Sequence, residues 1–132
     1  MKASDAVVGA EAPVKELTLS RTDLVQYAGA SGDYNPMHHD ELKAQAAGMP
    51  SVFGHGMFSM GFLGTALTDF VGIENLKSYN VRFVKQTWPG EVLRTKVVVS
   101  KIDGAVAELE CTLANADGEV KVQGNATATV VS

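Results

Sequence analysis

Apolar and polar residues change rhythm near residue 77. Before that point apolar positions recur at helical spacing, and after it they alternate. Val14, Leu17 and Leu19 set against Lys15, Glu16 and Thr18 give a weak alternation that predicts a short first strand over Val14 to Leu19. Ser20-Arg21-Thr22-Asp23 then has the form of a capping box, with Ser20 as N-cap and Asp23 reaching back to it. Leu24, Tyr27 and Ala28 follow at helical spacing, and Gly29 and Gly32 are expected to end that helix. Asn35-Pro36 forces a turn, because the residue before a proline is pushed out of the α region. A second short helix fits Asp40 to Ala47, stopped by Gly48 and Pro50.

Gly56 to Val71 is apolar nearly all round, through Met57, Phe58, Met60, Phe62, Leu63, Ala66, Leu67, Phe70 and Val71. A helix of that length spans about 24 Å. With almost no polar face, it is expected inside the protein, wrapped by something else. The wrapper follows in four runs rich in valine and threonine: Tyr79 to Gln86, Glu91 to Ile102, Ala105 to Ala114 and Glu119 to Val131. Leu109, Cys111 and Leu113 alternate with Glu108, Glu110 and Thr112, the pattern of a strand with one wet face. Pro89-Gly90, Asp103-Gly104 and Asp117-Gly118 stand between the runs, where hairpin turns are expected. A buried helix followed by an antiparallel meander is an α+β architecture, a sheet curled around one helix.

Composition narrows the class. The chain has 132 residues, 45% hydrophobic and 20% charged, which suits one globular domain over residues 1–132. Eleven basic against 15 acidic residues leave a net charge of −4. Without a basic cluster, neither nucleic acid nor an anionic membrane surface is an expected partner. Met1 to Pro13 holds one lysine and two acids and no apolar run of signal-peptide length, and no stretch reaches the roughly 18 apolar residues of a spanning helix. Cys111 is the only cysteine, so no internal disulfide and no multi-thiolate zinc site is expected. A cytoplasmic location is the default expectation.

The densest set of polar functional groups is Ser31-Gly32-Asp33-Tyr34-Asn35-Pro36-Met37-His38-His39-Asp40. Asp33 and His38 are five residues apart, which in a continuous helix would splay them by about 140°. With a proline-bearing turn between them, both side chains can converge on one water as a general acid/base pair. The simpler alternative is that Asp33 caps the turn and His38 is a surface histidine. A metal site from His38, His39, Asp40 and His55 lacks the usual ligand spacing, so neither metal nor cofactor is expected.

Gly54-His55-Gly56-Met57 opens the apolar helix. The first amides of a helix have no internal partner and carry partial positive charge, and a glycine lets a ligand come close to the backbone. An oxygen gaining negative charge could sit against Gly56, as in an oxyanion hole, although an ordinary glycine-rich turn has the same residues. Gly56-Met57-Phe58-Ser59-Met60-Gly61 is one residue too long for a nucleophile elbow. Gly54-x-Gly56 lacks the third glycine of a dinucleotide fingerprint. Cys111, between leucines, belongs with the core.

Three motifs together resemble one family. Asp33-Tyr34-Asn35-Pro36-Met37-His38 looks like the D-x-N-P-x-H motif of MaoC-like, R-specific enoyl-thioester hydratases and dehydratases. His55-Gly56-Met57, 17 residues beyond His38, resembles the H-G-M that opens their central helix. Val81-Arg82-Phe83 and Trp88-Pro89-Gly90-Glu91 are similar to their strand and turn. The likeness runs from about Leu17 to the C-terminus. It implies a hot-dog fold, and a dimer whose sheets join edge to edge with the acyl pocket near the subunit interface. The likeness extends to single-hot-dog catalytic subunits of (3R)-hydroxyacyl-ACP dehydratases, which can pair with a different, silent hot-dog subunit, and to homodimeric enoyl-CoA hydratases.

The resemblance implies reversible hydration of a trans-2-enoyl thioester of coenzyme A or acyl carrier protein to a (3R)-3-hydroxyacyl thioester. Asp33 and His38 would handle the water, and the Gly56 amide the thioester oxygen. Asn35 would shape the turn or touch the thioester, and His55 would set the geometry of Gly56. Some members carry a serine nine residues after the H-G-M histidine, and here that position is Gly64, with Thr65 beside it. The missing side chain, with Gly61 and Ala66, suggests room for an acyl chain along the helix. Two competing readings remain: a hot-dog thioesterase, which usually carries an acid within the central helix, and a non-catalytic acyl-binding partner subunit, which generally lacks the aspartate and histidine.

Overall fold

The computed structural model describes residues 1–131. Its elements are β1 (Glu16–Thr18), α1 (Arg21–Ser31), α2 (Glu41–Ala46), α3 (Gly56–Val71), β2 (Leu76–Phe83), β3 (Val92–Asp103), β4 (Val106–Asn115) and β5 (Val120–Thr129). The five strands form one antiparallel sheet in the order β1-β3-β4-β5-β2, curled against α3. This is the hot-dog arrangement that the motifs imply.

Local signals explain most boundaries. Ser20 and Asp23 form the reciprocal capping box, with Asp23 N donating to Ser20 Oγ at 3.0 Å and Ser20 N to Asp23 Oδ2 at 2.8 Å. Gly32, with φ 76°, closes α1 in the left-handed region, and Gly29 stays inside the helix. Along β4, Ala107, Leu109, Cys111 and Leu113 point into the core, and Glu108 and Glu110 point out. Burial pushes the Cys111 thiol up to about 11, as fits a core residue.

The strand order departs from a meander. The first run was expected over Tyr79 to Gln86, but β2 starts at Leu76 and pairs with β5, not with β3. Residues 84–91 therefore form no hairpin at Pro89-Gly90. They leave the ladder, with Val84 N and Lys85 N both donating to Lys121 O, at 2.8 and 3.2 Å. This segment passes from one edge of the sheet to β3. Asp103-Gly104 does close a tight hairpin, with Asp103 opposite Val106.

α3 is wrapped on one side only. Leu63, Ala66, Leu67 and Val71 are buried against Leu93, Val97, Leu109 and Leu113, each leucine contributing about 1.5–3 kcal/mol of apolar transfer. Met57, Gly61, Thr65 and Asp69, spaced at four residues, stay exposed in the single chain because a five-stranded sheet covers one face of a helix. Among the described residues, no helix is long and apolar enough to cross a membrane.

Candidate active site

The loop after α1 is built from side-chain-capped turns. Ser31 Oγ accepts from Asp33 N at 3.1 Å, Asp33 Oδ1 from Asn35 N at 3.2 Å, and Asn35 Oδ1 from Met37 N at 3.1 Å. Each is a short polar side chain closing on the backbone two residues ahead. Asn35 thus caps the 3₁₀ turn Pro36–His38, and Pro36 supplies its preset φ. The turn delivers His38 to the interior, where it is 8% exposed, and brings its Nε2 to 3.9 Å from Asp33 Oδ2. The Asp33 side chain stays half exposed. The two groups converge at a separation too long for a direct hydrogen bond and suited to a shared water.

Which nitrogen of His38 carries the proton follows from its partner. Nδ1 lies 2.6 Å from Phe53 O. A carbonyl only accepts, so Nδ1 is the protonated nitrogen and a neutral His38 turns the Nε2 lone pair towards Asp33. His55 is 2% exposed and stacks on His38, with ring centroids 3.8 Å apart. Its Nε2 donates to Asp33 O at 3.1 Å, while Nδ1 has no partner among the described residues. Burial, foremost, and the neighbouring His38 lower the His55 pKa below 6.5 against the bond to Asp33 O. His55 is therefore a neutral strut that fixes the Asp33 backbone and backs the His38 ring.

Gly56 is the first residue of α3, so its amide has no intrahelical acceptor. A Cβ there would come within 3.2–3.3 Å of the Phe83 ring. A cavity of about 270 Å³ opens here, lined by His38, Gly54, Gly56 and Ser59 on one side and by Phe83, Val84, Lys85 and Thr87 on the other. Asp33 lies outside that lining and reaches it through His38. A larger cleft of about 890 Å³ lies at the far end of α3 around Asp69 and holds none of these groups.

The other expected residues have different places. Gly64 is buried under Tyr79, whose Cε2 would be 3.3 Å from an added Cβ and whose hydroxyl donates to Met60 O at 2.8 Å. The room expected at Gly64 is filled by that ring, and the cavity stops short of it. His39 Nε2 donates to Tyr34 O at 3.1 Å, and Asp40 caps α2. Asp33, His38 and His55 each offer a metal-ligating atom, and these atoms lie within 4.8 Å of one another.

Ser59, beside Gly56, and Thr87, on the opposite wall, are site residues that no motif pointed to. Ser59 is 2% exposed and Thr87 is 3% exposed. Gly54 N donates to Thr87 O at 2.8 Å, and a Cβ on Gly54 would lie 2.1 Å from Thr87 Oγ1, so glycine lets residues 84–87 close on the turn into α3 without displacing the Thr87 side chain. Ser59, one turn into an apolar helix, was a legible signal, whereas Val84, Lys85 and Thr87 fall between the Val81-Arg82-Phe83 and Trp88-Pro89-Gly90-Glu91 motifs and belong to neither.

The model of the MaoC like domain family matches residues 5–121. The chain belongs to the MaoC-like family. Among its relatives, it is 35% identical over 103 residues to 3-hydroxyacyl-thioester dehydratase Y of Mycobacterium tuberculosis, covering 75% of this chain and 35% of that protein. It is 31% identical over 121 residues to the (R)-specific enoyl-CoA hydratase of Rhodospirillum rubrum, covering 86% and 81%. Its backbone superposes on a chain of the ChsH1-ChsH2 complex from Mycobacterium tuberculosis with a TM-score of 0.84 at 24% identity, covering 93% and 97%, a likeness of fold. This MaoC-like chain spans about a third or less of the length of several curated relatives. The family likeness read from D-x-N-P-x-H, H-G-M and P-G-E is borne out, as is the hot-dog fold.

Proposed function

We propose that the protein catalyses reversible addition of water to a trans-2-enoyl thioester, giving a (3R)-3-hydroxyacyl thioester, on one hot-dog domain formed by residues 1–132. The observation that carries this reading is the approach of His38 Nε2 to Asp33 Oδ2 at 3.9 Å, on the same cavity as the Gly56 amide, which has no acceptor within α3. Family membership and relatives named hydratase and dehydratase support it.

In this reading a water sits between Asp33 and His38. One of the two takes its proton as the water oxygen bonds to C3. The C2–C3 π electrons move towards the thioester carbonyl, whose oxygen gains negative charge at the Gly56 amide. Collapse of that enolate takes a proton at C2 from the dyad on the same face. The reverse sequence expels water. The amide acts where charge develops, and losing such a donor typically costs about 10²–10³ in rate. Asn35 and His55 serve by holding the turn and the Asp33 backbone. Gly64 leaves the seat that Tyr79 fills, outside the cavity.

The carrier is coenzyme A or acyl carrier protein, and the setting is cytoplasmic. A second hot-dog subunit, identical or different, is part of the proposal. The outer edge of β2 has no strand partner among the described residues, and Met57 at 57%, Phe83 at 51% and Val84 at 44% exposure flank the cavity. An unpaired edge beside an apolar patch is a natural docking surface. A thioesterase is disfavoured because the one acid of α3, Asp69, is paired with Lys15 at the far end of the helix.

The test is to incubate the purified protein with crotonyl-CoA and with a trans-2-enoyl acyl carrier protein. Loss of the enoyl ultraviolet band with (3R)-3-hydroxyacyl product is expected. Release of free thiol, a (3S) product, or no turnover of either substrate would overturn the reading.

A further inference from the structure

Lys121, on β5, is among the most completely buried large side chains of the chain, at 1% exposure. A lysine is almost never buried so deeply unless its charge is matched, since desolvating an ammonium costs several kcal/mol. Its Nζ lies 3.0 Å from Glu91 Oε2 and 2.7 Å from Glu119 Oε1. Glu119 in turn takes Lys85 at 3.1 Å, and Lys85 is the one Lys, Arg, Asp or Glu that lines the cavity. Glu91 also accepts from Trp88 N at 2.8 Å and from Asn115 Nδ2 at 2.8 Å. The carbonyl of the same lysine holds Val84 N and Lys85 N.

One residue therefore grips residues 84–91 at both ends, by its carbonyl at the start and by its ammonium, through Glu91, at the finish. That segment has no helix or strand to stiffen it, yet Val84, Lys85 and Thr87 form one wall of the cavity. The connection continues to the dyad. Trp88 packs edge-on against Phe53 at 5.9 Å, Phe53 packs edge-on against His38 at 5.1 Å, and Phe53 O holds His38 Nδ1.

We infer that Lys121 is a positioning residue, whose buried pair with Glu91 sets the cavity wall at residues 84–87 and, through Trp88 and Phe53, the seat of His38. This rests on the hydratase reading of the same cavity. Burying two charges costs desolvation that their attraction often only offsets, so what the pair contributes is the geometry it imposes on residues 84–91. The exposed arm from Glu119 to Lys85 contributes little by itself.

The test compares Lys121→Met, which leaves the Glu91 carboxylate without its ammonium, with the double variant Lys121→Met/Glu91→Gln, which removes both charges and keeps a side-chain acceptor for Trp88 N and Asn115 Nδ2. Crotonyl-CoA kinetics and Trp88 emission are read together, since Trp88 is the only tryptophan. In both variants kcat/KM should fall about ten- to a hundredfold, mostly through KM, with Trp88 emission displaced and far-ultraviolet dichroism unchanged. A double variant with wild-type KM and wild-type emission would show the pair to be structural only and overturn the inference. Wild-type protein without turnover would overturn the hydratase reading instead, and Trp88 emission would still decide the wall, with unchanged emission in both variants overturning it.

Discussion

His38 Nδ1 donates to the carbonyl of Phe53 at 2.6 Å, and that bond determines that Nε2 is the nitrogen offered to Asp33. The orientation costs the site nothing when a substrate arrives, because the acceptor belongs to the backbone beside the cavity. In Asp33→Asn the separation is retained and the carboxylate is lost. In His38→Gln the imidazole is lost from a seat that a hydrogen-bonding side chain can still occupy. Each variant should lose about 10²–10⁴ in kcat while unfolding at close to the wild-type temperature. Near-normal rates in either would refute the dyad.

Two glycines of α3 should respond in opposite directions. A Cβ at Gly61 meets nothing within 4 Å, so Gly61→Ala should stabilise the fold by about 0.5–1 kcal/mol through helix propensity. Gly64→Leu must displace Tyr79 and its bond to Met60 O, and should destabilise by about 1–3 kcal/mol. Urea midpoints of the two variants give the comparison. A Gly64→Leu protein as stable as wild type would mean that Tyr79 yields freely.

Gly124 has a stricter requirement. A Cβ there would lie 2.0 Å from Asn80 O and 2.9 Å from Val81 Cα, and both are backbone atoms of the paired strand. Backbone cannot swing aside as a side chain can, so Gly124→Ala should cost about 3 kcal/mol or more and loosen β2 from β5. Amide exchange along β2 would report it, and wild-type protection there would contradict the packing described.

The lowered pKa of His55 has a definite sign in stability. The unfolded chain binds a proton at this residue near pH 6.5, and the folded chain binds it only at lower pH. The folded state is therefore favoured above pH 6.5, and its margin shrinks as pH falls from there towards the folded value. Thermal unfolding between pH 7.5 and 5.5 should show a falling midpoint in the wild type. His55→Gln, with no such proton to bind, should show a smaller slope. Equal slopes would mean that His55 is not the group held neutral by burial.

What the sequence determined by itself is what neighbours along the chain decide. The capping box at Ser20 and Asp23, the turn built by Asn35 and Pro36, the alternation from Glu108 to Leu113 and the hairpin at Asp103-Gly104 all depend on contacts within a few residues, and such contacts leave a period or a motif. The convergence of Asp33 on His38 was legible for the same reason, because one proline-bearing turn accomplishes it. Only the tertiary structure decided that β2 pairs with β5 across some 45 residues, that Tyr79 fills the space over Gly64, that Thr87 meets Gly54, and that Lys121 holds the wall through Glu91. These contacts join residues about 15 to 50 positions apart, and no spacing along a chain encodes which distant side chain will occupy a gap. That is settled by packing, where volume and charge must be satisfied together.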